Sequence, residues 1–333
     1  MPEMNRRWTL AARPHGMPKE SDFAFGEAPI PLVGDGHVLV RVLFLSFDPT
    51  QRGWLEDRPS YLPPVQLGEV MRAVGVAEVV ESKHPGFARG DLVQGMFGWQ
   101  DYALIPGALL GAKLRAGVPP TWSLGVLGVT GLTAYFGMLD LGKPKAGESV
   151  VVSGAAGATG SVAGQIAKLQ GAHVVGIAGG PAKCAWLTKE AHFDAAIDYK
   201  HEDVAARLRE LCPKGIDVYF DNVGGEILDA VLGQIAQRAR IVLCGSISNY
   251  NEVTPPPGPR NLRNLVAQRG RMEGFIILDY VARFGEGVAK LSEWVRSGAI
   301  VHLEDVQHGL ENAPRTLLRL FSGANTGKQL LEL

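Results

Sequence analysis

The chain has almost no net charge and few thiols. Across 333 residues, 33 Lys and Arg stand against 34 Asp and Glu, a formal charge of −1. No basic stripe marks a nucleic-acid surface, so that class of partner is not expected. Only three cysteines occur, Cys184, Cys212 and Cys244, and no two are close in sequence. An odd, sparse set argues against a disulfide framework and fits a reducing cytoplasm. The apolar runs are strand-sized, too short to span a bilayer. The opening residues lack the apolar stretch of a secretory signal. A zinc site needs three or four Cys, His or carboxylate ligands. The eight histidines are scattered, without H-E-x-x-H or Cys-x-x-Cys company, and His302 and His308 read as surface groups. A G-x-S-x-G elbow and a Walker loop are also missing, which removes support for a hydrolase or an ATPase.

What is present is glycine, 42 residues of it, and a 46% hydrophobic content that suffices for two cores. Up to about residue 120 the chain reads as short strands cut by Pro and Gly: Val38–Phe44, Gly75–Val80, Asp91–Met96 and Asp101–Ile105. That pattern suits a small irregular β-barrel. Past Trp122 strands and helices alternate. Strands are expected at Ser149–Ser153, His173–Ala178, Ala195–Tyr199, Asp217–Asp221, Arg240–Gly245 and Glu273–Leu278, with helices between them, one over Glu226–Ala236. Strict alternation implies a parallel, doubly wound α/β sheet. Ala299–Leu303, a helix near Ala313–Phe321 and Lys328–Leu333 read as a return to the first domain. The expected division is therefore 1–122 with 299–333, and 123–298.

The run Val150–Ser153 leads into glycines at 154, 157 and 160. Small residues let such a turn pass close to a pyrophosphate, and the following helix offers free N–H groups and the positive end of its dipole. Gly157, Ala158, Thr159, Gly160 and Ser161 are thus candidate dinucleotide contacts. A tight strand–helix turn without a ligand would look the same. A free ribose hydroxyl usually meets an acid at the end of the next strand. Here that strand ends Ile177-Ala178-Gly179-Gly180, and Lys183 follows. A cation suits a 2′-phosphate, hence NADPH; a solvated helix-start lysine is the alternative. Tyr199 either closes the adenosine pocket or is a half-buried core residue. Asn222, and the segment Cys244, Gly245, Ser246, Ile247 to Tyr250, fall at the ends of the next two strands, on the nicotinamide half.

Taken together, several segments resemble the zinc-independent medium-chain dehydrogenase/reductases, and within them the NADPH-dependent alkenal/enone reductases. They are Asp48-Pro49 with Arg52, Leu67–Met71, Pro85–Asp91, Gly98–Ile105, Gly131–Gly137, Ala155–Gly160, Tyr219–Gly225 and Gly323–Lys328. The resemblance spans nearly the whole chain. It implies a GroES-like domain plus a Rossmann domain, with the active site in the cleft. It also implies cofactor contacts from Phe275, Ile276, Ile277 and Asn325, and a homodimer formed along the Rossmann sheet edge. Asp48 and Arg52 are candidate substrate-pocket residues, and Tyr61 either lines that pocket or packs as an ordinary loop residue. The implied reaction is NADPH-dependent reduction of the double bond of a small enal or enone, with Tyr250 meeting the developing enolate oxygen. Where animal and plant members often read Asp-Pro-Tyr-Met-Arg, this chain has Thr50 and Gln51, so the animal substrate preference does not carry over. Two rivals stand beside this reading: a quinone reductase of the same superfamily, and an NADPH-binding protein without turnover.

Overall fold

A computed structural model describes residues 4–333 apart from 112, 115 and 255. The chain opens with an antiparallel ribbon of β1 (Met4–Leu10) and β2 (Phe23–Pro29). β3 (His37–Ser46), α1 (Gln51–Trp54), β4 (Val74–Ser82), β5 (Leu92–Met96) and β6 (Tyr102–Pro106) follow. Alternation then begins with α2 (Val129–Phe136), β7 (Ser149–Ser153), α3 (Ala158–Leu169), β8 (His173–Ala178), α4 (Pro181–Lys189) and β9 (Ala195–Asp198). It continues through α5 (Val204–Leu211), β10 (Ile216–Asp221), α6 (Gly225–Leu232), β11 (Ile235–Leu243), α7 (Asn264–Ala267), β12 (Arg271–Gly274) and α8 (Phe284–Arg296). β13 (Glu304–His308), α9 (Ala313–Ser322) and β14 (Lys328–Glu332) complete the chain.

These elements group into two compact units, one of residues up to Leu124 with Glu304–Leu333, the other Gly125–Leu303. In the first, the sheet order is β13-β14-β3-β4-β5, with β6 also paired to β3. The β3–β4 register shifts twice, at Leu39/Val40 and Val42/Phe44. Such bulges bend a strand pair and curl a sheet towards closure. Inside lie Val38, Val40 and Val42, with Phe23 and Phe47 packed on Trp99 at centroid distances of 5.1 and 5.3 Å.

The second unit holds a sheet of order β12-β11-β10-β7-β8-β9, parallel throughout. Counted from β7, this is the doubly wound order of dinucleotide-binding sheets, with its switch point between β7 and β10. β7 takes the centre because Val150, Val151 and Val152 are fully buried, each worth about 1.5–3 kcal/mol against exposure. α3 turns Val162, Ala163, Ile166 and Ala167 inwards.

The expected fold class holds, with differences at element ends. α6 stops at Leu232, because Gly233 caps it and Ile235 pairs with Ile216 as the start of β11. β12 ends at Gly274, and a 3₁₀ segment occupies Ile277–Arg283. Residues 299–303 form no strand; β13 begins at Glu304.

Candidate functional site

The switch point lies where β7 runs out. Gly154 takes φ +58°, and its carbonyl accepts the Gly157 N–H at 3.0 Å. A Cβ at position 160 would stand 2.4 Å from that same carbonyl oxygen. Only glycine lets α3 start this close to the turn. Gly157 is the N-cap and supplies no side chain, while Ser161 N–H closes on the Gly157 carbonyl at 3.0 Å. The N–H groups of Ala158, Thr159 and Gly160 precede the first intrahelical bond and share the positive end of the helix dipole. A bare turn backed by oriented N–H groups fits a pyrophosphate.

The ends of β10 and β11 border this turn. Asn222 donates its side-chain amide to the Ser153 carbonyl (2.7 Å), and its N–H meets Ser153 Oγ (3.0 Å). The segment after β11 hangs on the residues after β10. Cys244 and Gly245 donate to the Asp221 carbonyl, Ile247 to that of Asn222 and Ser248 to that of Val223, at 2.9–3.3 Å. Tyr250 is half-buried and returns over the loop, its phenolic oxygen accepting the Ser246 N–H at 3.3 Å. That bond uses an oxygen lone pair rather than the hydroxyl proton.

At the other end, β8 delivers Gly179 and Gly180, the latter at φ +100°, and half-buried Lys183 sits in the first turn of α4. The Tyr199 ring covers Gly179 so closely that a Cβ there would meet Cε1 at 2.9 Å. Lys200 Cε would lie 3.0 Å from it. Reading one strand at a time misses two of these groups. The parallel register sets Asp198 beside Ala178, so an acid does stand at this turn, brought by the neighbouring strand. Asp198 accepts the N–H of Gly180 (2.8 Å) and Lys200 (3.1 Å) and bonds His201 Nδ1 (2.8 Å). The Gly180 N–H and His201 hold its carboxyl below the ordinary range. Its oxygens are thus engaged in shaping the turn, and Lys200 brings a cation to Gly179.

The remaining candidates fall into two groups. Phe275 packs inwards, where a Cβ at Gly137 would meet its ring at 2.6 Å, while Ile276 is exposed and Ile277 half-buried. The others belong to the first unit. Asn325 donates to the Gly327 carbonyl at 3.1 Å. Asp48 pairs with buried Lys328 and accepts Ser46 Oγ at 2.5 Å. Arg52, only 3% exposed, reaches Glu56 (2.9 Å) and the Gly16 carbonyl (3.0 Å). Both charges make these contacts within their own unit. Tyr61 is exposed and bonded to the Thr50 hydroxyl. His302, read from sequence as a surface group, is half-buried, and burial lowers its imidazole pKa. Among the described residues no group of three or more His, Cys, Asp or Glu could hold a metal ion.

Known proteins are similar to this chain along nearly its whole length. Residues 6–112 match the family profile described as the N-terminal domain of oxidoreductase, and residues 158–293 the profile described as zinc-binding dehydrogenase. An NADPH-dependent curcumin reductase of Escherichia coli (strain K12) is 46% identical over 99% of this chain and 97% of its own. An NADP(+)-dependent 2-alkenal reductase of Nicotiana tabacum is 42% identical over 95% of this chain and 94% of its own. The chain belongs to the alkenal/enone reductase family of the medium-chain dehydrogenase/reductases. CurA from Vibrio vulnificus, solved in complex with NADPH, superposes on this family member with a TM-score of 0.93, at 42% identity over 98% of each chain.

The thiols of this reductase-family chain sit in unreactive surroundings. Burial is the main cause that pushes Cys184 and Cys212 up to about 11 and Cys244, beside Asp221, up to about 12. Alkylation by iodoacetamide at about pH 8 is therefore expected to be slow in the native protein and fast in guanidinium, where thiols return to about 8.5. The native rate should climb only as the pH approaches these raised values. Rapid native labelling at about pH 8 would contradict the burial argument.

Proposed function

We propose that the protein reduces the carbon–carbon double bond of α,β-unsaturated aldehydes and ketones with NADPH, the hydride going to the β-carbon. The observation that carries this reading is the bare Gly154–Gly160 turn, flanked by Lys183 and Tyr199 on one side and by Tyr250 on the other. The E. coli relative is named as NADPH-dependent, and the V. vulnificus relative was solved with NADPH. Bound NADPH supplies a hydride. The chain's own residues do the rest. The N–H groups of Ala158, Thr159 and Gly160 hold the pyrophosphate, with Ser161 closing the turn beneath them. Lys183 and Tyr199, with Lys200, take the ribose phosphate. Asn222, the backbone from Cys244 to Tyr250, Phe275 to Ile277 and Asn325 complete the cofactor contacts. Charge develops on the substrate's carbonyl oxygen as the β-carbon is reduced, and a preorganised donor there lowers the barrier. Tyr250 is that donor. Tyr61 lines the substrate pocket, while Asp48 and Arg52 keep the residues around α1 in shape.

The unit Gly125–Leu303 is the cofactor-binding half of this scheme, and the other carries the substrate loops. The three free thiols support a cytoplasmic location. A homodimer is proposed along β12, an edge strand paired only with β11. Val266 (82% exposed), Ile276, Leu278 and Val281, in the segments before and after β12, are exposed apolar residues, the kind of surface a partner covers. Sedimentation is expected to give a dimer that Val266→Asp with Val281→Asp converts to monomer; a monomeric wild type would sink the proposal.

Two measurements test the chemistry. NADPH absorbance should fall with a medium-chain enal and with an enone. Consumption with a quinone alone would favour the quinone-reductase rival, and none with any acceptor would remove both enzyme readings. Lys183→Ala should weaken NADPH binding by about tenfold or more, the scale of a charge-assisted phosphate contact, and leave NADH binding nearly unchanged. Equal weakening of both would remove the phosphate role.

A further inference from the structure

Asp221, the last residue of β10, is only 1% exposed and gathers its donors on one oxygen. Its Oδ1 accepts from Ser153 Oγ (3.0 Å), the Tyr219 hydroxyl (2.8 Å) and the N–H groups of Val223 (3.0 Å) and Gly224 (2.8 Å). Its Oδ2 is buried and has no hydrogen-bond partner among the described residues. A buried carboxylate gains from charge-assisted bonds, and leaving its donors unmade is costly. The carboxylate therefore fixes the turn after β10, where Gly224 takes φ +74°. That turn carries the loop of Tyr250. The Asp221 carbonyl holds Cys244 and Gly245, the Asn222 carbonyl holds Ile247, and the Val223 carbonyl takes both the N–H (3.1 Å) and the hydroxyl (2.6 Å) of Ser248. Gly224 and Gly225 are needed for the fit, since a Cβ on either would lie 3.0 Å from Ser246 Cβ or 2.9 Å from Ser248 Oγ. The loop then closes on itself through Ser246 N–H and the Tyr250 hydroxyl.

We propose that Asp221 is a positioning residue for the enone reaction: its carboxylate sets the turn after β10, and that turn sets the Tyr250 hydroxyl. The inference rests on the reading of Tyr250 as a substrate-facing donor. Asp221→Asn separates charge from shape. It keeps one acceptor oxygen, removes the negative charge, and puts an amide group where Oδ2 has no partner.

The test uses the full-length protein labelled with 3-fluorotyrosine. The Tyr250 ¹⁹F resonance is identified by its loss in Tyr250→Phe. In Asp221→Asn that resonance is expected to shift or broaden. With an enal, kcat should fall about 10- to 100-fold, the scale of a small misplacement at a reacting centre, while the KM for NADPH changes far less. Ser248→Ala, at an exposed position of the same relay, should move the same resonance and lower kcat by a smaller factor. It decides the matter alone if Asp221→Asn does not fold. An unmoved Tyr250 resonance in the folded variants overturns the proposal, whatever happens to kcat. Full activity in Tyr250→Phe would instead overturn the role given to Tyr250, and the resonance would still report whether Asp221 positions it.

Discussion

The carbonyl oxygen of Gly154 occupies the space that a side chain at position 160 would need, 2.4 Å from where its Cβ would be. This approach lets α3 begin directly above the end of β7, with its first N–H groups aimed past the sheet edge. The remaining turns of this unit are arranged around it. The parallel pairing of β7 with β8 and β10 sets the neighbouring turns on either side of the same edge. A bulkier residue at 160 would push the helix outwards and leave the ends of those strands without a common ligand.

Charge is handled differently at the two ends of the site. At the β8 turn the carboxylate of Asp198 has its oxygens engaged by the N–H groups of Gly180 and Lys200 and by His201. Hydrogen bonds to the charged form stabilise that carboxylate and hold the turn. At the β10 turn the carboxylate of Asp221 is buried and faces hydroxyls and backbone N–H groups, with no cation among its recorded partners. Four donors converge on its Oδ1, which ties two strands and the turn together. One turn is suited to gripping a phosphate, the other to holding a hydroxyl still.

Much of this was readable in the sequence where local physics decides the structure. The β-branched run of β7, the glycine-spaced turn and the helix after it follow from residue type and period, and β7 occupies its expected Ser149–Ser153. Errors occur where one signal hides another. Ile235 continues the apolar period of α6, yet Gly233 ends the helix and Ile235 belongs to β11. The apolar residues after Gly274 read as more strand, but pairing to β11 stops at that glycine. Asp198 and Lys200 were missed because their place beside the β8 turn depends on strand register. Asp221 was read only as part of a motif; nothing local reveals that its carboxylate collects donors from two strands and a turn. Asp48 carries charge in a family motif, and its partner Lys328 lies 280 residues away, beyond the reach of local pattern.

The central claim concerns where the hydride goes. NADPH deuterated at the nicotinamide C4, in each epimer, can be turned over with an enal and the product read by NMR. The expected product is the saturated aldehyde with deuterium on the β-carbon from one epimer only. Deuterium on the carbinol carbon of an allylic alcohol, or no transfer from either epimer, would contradict the assignment of this site to double-bond reduction.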